Sequence, residues 1–248
     1  MKIFLFVFVL IIKFLNNGIA QKNFSKDSVI QIIYTENVNL DGRKYSNSVK
    51  LISNDTISYY FISNPQFELE DQRPFAAIIK NKNCKCLYFN QPMVPKYDRN
   101  NYFSDSLFPM KWIITNESRV FNGRVGYKAF TNFRGRIFTA YYDPKIPIND
   151  GPFKFGGLPG LIIKLYDNDR IWDYELSSLN KILNRFRPNK INIAGDYGFY
   201  KEVYPPWRKK YEASVRATKN IDPNCIDCNK SVSKSYTIEL IPGFDINE

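Results

Sequence analysis

From Gly126 to Asp143 the chain reads GYKAFTNF, then Arg134-Gly135, then RIFTAYYD, and no other stretch limits the fold as tightly. Tyr127, Ala129, Thr131 and Phe133 alternate with Lys128, Phe130 and Asn132. After the Arg-Gly pair, Ile137, Thr139 and Tyr141 alternate with Phe138, Ala140 and Tyr142. A period of two puts successive side chains on opposite faces of a strand, and two such runs around a two-residue turn ending in glycine read as an antiparallel hairpin. On a helix the same residues would scatter around the axis and leave no face to bury.

The pattern recurs along the chain. Val29–Thr35 is β-branched and aromatic; Ser48–Ser53 and Thr56–Ser63 flank Asn54-Asp55; Ala76–Lys80 and Cys84–Phe89 flank Asn81-Lys82-Asn83. Lys111–Thr115 and Ser118–Phe121 precede Asn122-Gly123, while Leu161–Tyr166 and Arg170–Leu176 flank Asp167-Asn168-Asp169. Leu179–Pro188 reads as a short basic helix and Ile191–Tyr204 as irregular. Pro206 suits the first turn of a helix running to Lys219, and Tyr236–Ile241 reads as a last strand. About ten antiparallel strands with one or two late helices predict a mainly β protein, a single curved sheet or half-barrel, with a β-sandwich as the alternative.

Between two of these strands, Asp143 to Gly160 (DPKIPINDGPFKFGGLPG) holds four glycines and four prolines in eighteen residues. A connection this long inside a strand-rich domain is usually functional or disordered. Its apolar residues Ile146, Ile148, Phe153, Phe155 and Leu158 argue against disorder. The segment lacks the lysine and Ser/Thr of a phosphate-cradling loop and leads into a strand rather than a helix, so a P-loop is excluded.

The first residues, MKIFLFVFVLIIKFLNNGIA, have Lys2 ahead of an apolar run interrupted only by Lys13, then Gly18-Ile19-Ala20. This is the pattern of a secretory signal cleaved after Ala20, too short and interrupted for a membrane span. The expected organisation is residues 1–20 as signal peptide and 21–248 as one β-rich domain, exported to the periplasm or to the outer envelope and extracellular space. Removing Lys2 and Lys13 lowers the formal charge from +11 to +9. The basic residues are scattered, and export makes nucleic acid an improbable partner.

The chain contains no histidine. That removes Ser-His-Asp and Cys-His chemistry and histidine-ligated zinc. Asp143, Asp150, Asp167, Asp169 and Asp173 surround the glycine- and proline-rich segment, and two of them, such as Asp143 and Asp150, would suit a carboxylate-dependent hydrolase, although Asp143-Pro144, Asn149-Asp150-Gly151 and Asp167-Asn168-Asp169 are also ordinary turn contexts. The cysteines form a C-x-C, Cys84 and Cys86, and a C-x-x-C, Cys225 and Cys228. In an exported protein they are disulfide candidates first, paired locally or across the chain, with a four-thiolate metal site as the sharper alternative.

Residues Gly126 to Asp167 resemble the hallmark region of the GLPGLI family of exported bacterial proteins, with the motif intact as Gly157-Leu158-Pro159-Gly160-Leu161-Ile162 and preceded by Ile146 to Gly157. Ala129 stands where many members carry a cysteine. The resemblance implies no catalytic residue, and a half-barrel like those of lipoprotein carriers is an expectation by analogy.

The expected function is therefore non-enzymatic binding, with the hydrolase and the thiolate metal protein as alternatives. The expected binding residues lie on the motif loop: Ile146, Pro147, Asp150, Gly151, Pro152, Phe153, Phe155, Gly157, Leu158, Pro159 and Gly160. No cofactor and no metal is expected. The expected partner is an apolar ligand or another envelope protein, with peripheral membrane contact left open.

Overall fold

The computed structural model describes residues 28–40, 42–62, 77–90, 101–106, 110–183 and 191–218. Twelve strands run in order: β1 (Ser28–Leu40), β2 (Arg43–Ser53), β3 (Ile57–Ile62), β4 (Ile78–Asn81), β5 (Cys86–Phe89), β6 (Asn101–Asp105), β7 (Ile113–Phe121), β8 (Arg124–Phe133), β9 (Arg136–Asp143), β10 (Leu161–Asp167), β11 (Trp172–Leu183) and β12 (Asn192–Asp196), followed by helix α1 (Tyr197–Thr218). They form one sheet in the order β12-β6-β5-β4-β3-β2-β1-β11-β10-β9-β8-β7. The alternative of a sandwich does not hold, since all twelve strands belong to this sheet.

The connectivity itself requires curvature. β1 to β6 step outward toward one edge, and the chain then resumes at the other edge with β7 and steps back until β11 pairs with β1. On a flat sheet β6 and β7 would stand about 48 Å apart, at ~4.8 Å per strand. The eight peptide steps from Asp105 to Ile113 span at most about 29 Å. The sheet therefore curls, and residues of its two arms meet: Arg134, in the β8–β9 turn, pairs with Asp105 at the end of β6, Nη2 to Oδ1 2.7 Å.

Two turns follow directly from sequence. Asn122-Gly123 takes φ of 48° and 76°, and Arg134-Gly135 takes 48° and 85°. Positive φ at both central residues gives the turn whose twist matches that of the flanking strands. β8 and β9 then pair as expected, Ala129 opposite Ala140 and Phe133 opposite Arg136.

Other expectations are corrected. Lys111–Thr115 and Ser118–Phe121 are not two strands; Ile113–Phe121 is one, with a register shift between Ile114 and Ser118. Leu179–Leu183 continues β11 instead of forming a helix, because it completes the pairing with β1 down to Ser28. Asn101–Asp105, to which the sequence reading assigned no strand, is β6. Ile191–Tyr204 is not irregular: it supplies β12, parallel to β6, and the first turns of α1. The helix begins at Tyr197, where Asp196 Oδ1 accepts from Phe199 N at 2.8 Å, and carries Pro205 and Pro206 in its interior. A carboxylate capping the N3 amide is a standard start signal. The expectations for residues 1–27, for Tyr236–Ile241 and for Cys225 and Cys228 lie outside the described residues.

The main core is built on the concave side from both arms: Ile32, Tyr34, Leu51, Tyr60, Phe89, Phe103, Phe133 and Phe138 among others. Helix α1 covers the β5–β6 end, with Tyr200 stacked edge-on to Phe89 at 4.9 Å and packed on Phe103 at 5.3 Å.

Candidate functional site

The β9–β10 connection, residues 144–160, joins neighbouring strands for which a turn of two to five residues would suffice. Instead it folds back across the concave face. Phe155 is fully buried, its ring 4.6 Å from Phe138, 5.0 Å from Phe133 and 6.2 Å from Trp112. Trp112 Nε1 donates to Gly156 O at 2.9 Å, and Leu158 is buried alongside. Phe153 meets Tyr60 edge-on and adopts φ 50°, a conformation that costs on the order of 1 kcal/mol for a bulky residue.

A buried ion pair pins the loop. Lys80 on β4 and Asp150 are both completely inaccessible, with Lys80 Nζ 2.5 Å from Asp150 Oδ1. Lys80 also donates to Gly151 O at 2.8 Å and Phe155 O at 2.9 Å, so its three protons all meet oxygen on the loop. Asp150 Oδ2 accepts from Ser53 Oγ at 2.8 Å and lies 3.2 Å from Lys82 Nζ. Burial pushes the Asp150 carboxyl up, but the charges of Lys80 and Lys82 outweigh it and hold the group well below the usual carboxylate range. Burial pulls Lys80 down against the opposing pull of Asp150. Tyr34, its ionisation pushed up by burial and by Asp150, stays a neutral donor to Ile162 O at 2.9 Å.

The motif corner has a steric logic. Gly160 takes φ 151°, and a Cβ there would come within 2.4 Å of Asp143 O. Only glycine lets the chain pass so close to the end of β9 before Leu161 pairs with Asp143. Leu161, Ile162 and Ile163 are all buried, so β10 enters the sheet with both faces covered.

These residues separate into two groups. Asp150, Gly151, Pro152, Phe155, Leu158 and Gly160 are buried and Phe153 is half-buried against the core; Pro147 and Gly157 are exposed and line a cleft of about 640 Å³ at one end of the sheet, and Ile146, itself buried in the core cluster, contributes to the same wall. Pro159 is exposed. The remaining walls come from the start of β1 (Val29, Ile30), the β2–β3 turn (Ser53, Asn54, Asp55), the β4–β5 turn (Lys82, Lys85), the end of β11 (Leu179), and Lys145, Ile148 and Asn149. The sequence reading missed Lys80, Lys82, Lys85 and Leu179. Their roles depend on which chain ends the sheet brings together, and no local pattern marks that.

The two candidate carboxylates do not share a site. Asp143 Oδ1 accepts from Lys145 N at 2.9 Å, closing a turn, and its Oδ2 lies 3.8 Å from Arg124. Asp150 is committed to Lys80, Lys82 and Ser53. Cys84 and Cys86 are disulfide-bonded to each other, with Cα atoms 5.2 Å apart. Among the described residues no group of three or more acidic, cysteine or histidine side chains is placed to hold a metal.

Residues 112–164, which run from just before β7 through the whole loop into the first half of β10, match a family described as "Protein of unknown function (Porph_ging)". No curated protein matches the chain. Two solved structures of PNGF-II, from different space groups, align at 19% identity with a TM-score of 0.52 over 71% of this chain. The chain spans about a third of their length, 33% and 32%, and the likeness is one of fold. NE2245, a LolA superfamily protein from Nitrosomonas europaea, aligns over 66% of this chain and 89% of its own at 8% identity, with a TM-score of 0.29.

Proposed function

We propose that the chain is an exported, non-enzymatic ligand-binding protein of the bacterial cell envelope, a GLPGLI-type protein whose hallmark loop both fills the half-barrel and walls a ligand cleft. The observation that carries this reading is the division of the loop: Phe155 and Leu158 lie in the core, while Ile146, Pro147, Ile148, Asn149 and Gly157 line a cleft of about 640 Å³. That volume falls in the range of small-molecule sites, about 300–1,000 Å³, which combine an apolar lining with a few polar groups.

The hydrolase alternative gains nothing from the geometry. A general acid and base must both reach a substrate, and Asp150 is sealed from solvent and held ionised by two lysines. The signal-like N-terminus supports export. The Ile146 segment, expected as the rim of a site, supports the position of the cleft.

The test uses Nile red, a neutral apolar dye, titrated into the mature protein. The expected result is saturable binding at one site, weakened about tenfold or more by Ile148→Trp, which fills the cleft from its partly exposed wall. Circular dichroism checks that the variant stays folded. Absence of saturable binding by the unmodified protein, or equal binding by a folded Ile148→Trp, refutes the reading.

A further inference from the structure

The cleft lining is of two chemical kinds. Val29, Ile30, Ile146, Ile148 and Leu179 are its apolar residues, and Lys82, Lys85 and Lys145 are its cations, with Asp55 as the one carboxylate among the lining residues. Behind them, Asp150 is shared between Lys80 and Lys82, so one carboxylate faces two ammonium groups. Among the lining residues and the buried pair, Lys80, Lys82, Lys85 and Lys145 stand against Asp55 and Asp150, an excess of two positive charges.

Those charges are not distributed evenly. Lys82 is tied down, its Nζ donating to Asn54 O at 2.7 Å and Ser53 Oγ at 2.9 Å. The side chains of Lys85 and Lys145 make no ion pair or hydrogen bond among the described residues, unlike Lys128, Lys154 and Lys164, which pair with Glu117, Asp105 and Asp173. Lys85 is also held in place. It lies between the bonded Cys84 and Cys86 at φ 54°, so the small disulfide ring fixes its backbone at the rim.

We infer that the cleft takes a single-chain anionic amphiphile, of which a fatty carboxylate is the simplest, with its chain along Val29, Ile30, Ile146, Ile148 and Leu179 and its headgroup at Lys85 and Lys145. This rests on the cleft being the ligand site proposed above. An apolar chain alone would leave the two lysines without a counter-charge; a small anion alone would leave the apolar wall wet. The amphiphile satisfies both, and its carboxylate meets the ammonium groups of two exposed lysines that line the cleft. Because both lysines are exposed, the preference for anions weakens with salt.

The experiment compares laurate, dodecanol and dodecyltrimethylammonium, which share one chain and differ in headgroup charge, by calorimetry below their micellar concentrations. Laurate is expected to bind at one site, about tenfold or more tighter than the ammonium, and Lys85→Glu/Lys145→Glu to lower the ratio of laurate to Nile red affinity about tenfold or more. Nile red binding in the cleft with no preference among the three headgroups overturns the anionic inference and leaves the cleft reading standing. Failure of all four probes overturns both. Inorganic phosphate binding as tightly as laurate also overturns it, because the chain would then contribute nothing. So does sedimentation with phosphatidylglycerol vesicles without binding of monomeric laurate, which would assign the lysines to a membrane surface.

Discussion

Lys80 on β4 and Asp150 on the β9–β10 loop form an ion pair with no solvent access on either side, Nζ to Oδ1 2.5 Å. β4 and β9 lie on opposite arms of the sheet, so this contact, with the bonds from Lys80 to Gly151 O and Phe155 O, ties the two arms through the loop. The pair sets the loop's position and, through it, the cleft.

Asp150→Asn should therefore be severe. It leaves the Lys80 ammonium buried with only carbonyl partners, and stranding a buried charge costs about 3–5 kcal/mol. Urea unfolding of residues 21–248 checks this. The double variant Lys80→Met/Asp150→Leu should lose less than the sum of its single changes, since it removes both charges.

The same carboxylate predicts an acid limb. A group whose folded pKa lies below its unfolded value of about 3.9 stabilises fully above that value, and the contribution is lost as pH falls through the folded one. Asp150 is of this kind. Stability should fall below about pH 4, and the fall should flatten in Asp150→Asn, as read from melting temperature against pH.

Gly160→Ala should destabilise by about 2 kcal/mol or more, since its Cβ meets backbone at Asp143 O that no side-chain rotation can relieve. An equal melting temperature for the variant would remove the steric account of the motif glycine.

Neighbouring loop positions should respond very differently. Phe155→Ala empties the centre of an aromatic cluster and should cost about 3–5 kcal/mol, whereas Lys145→Ala on the exposed rim should stay within about 0.5 kcal/mol. Thermal unfolding of both variants makes the comparison.

The hairpin from Arg124 to Asp143 was legible because two independent signals agree there, period-two alternation and turn residues able to take positive φ. The helix start was not, because Pro205-Pro206 is a strong first-turn signal and drew the boundary away from Asp196. The loop was half legible. Phe153, Phe155 and Leu158 argued for an ordered loop, but apolar character does not say whether the partner is a ligand or the protein's own Phe133 and Phe138. Lys80 was silent for a related reason: a lysine at the end of an apolar strand is ordinarily solvated, and its partner lies on the far arm of the sheet.

The central claim is that ligand meets the outer edge of the loop while the inner edge is sealed core. Titration of Nile red into isotopically labelled protein comprising residues 21–248, followed by amide NMR, tests it directly. The account predicts shifts at Val29, Ile30, Asn54, Ile146, Ile148 and Leu179, with Phe133, Phe138 and Phe155 unmoved. Shifts concentrated at Phe133, Phe138 and Phe155 would contradict it and place the ligand inside the half-barrel.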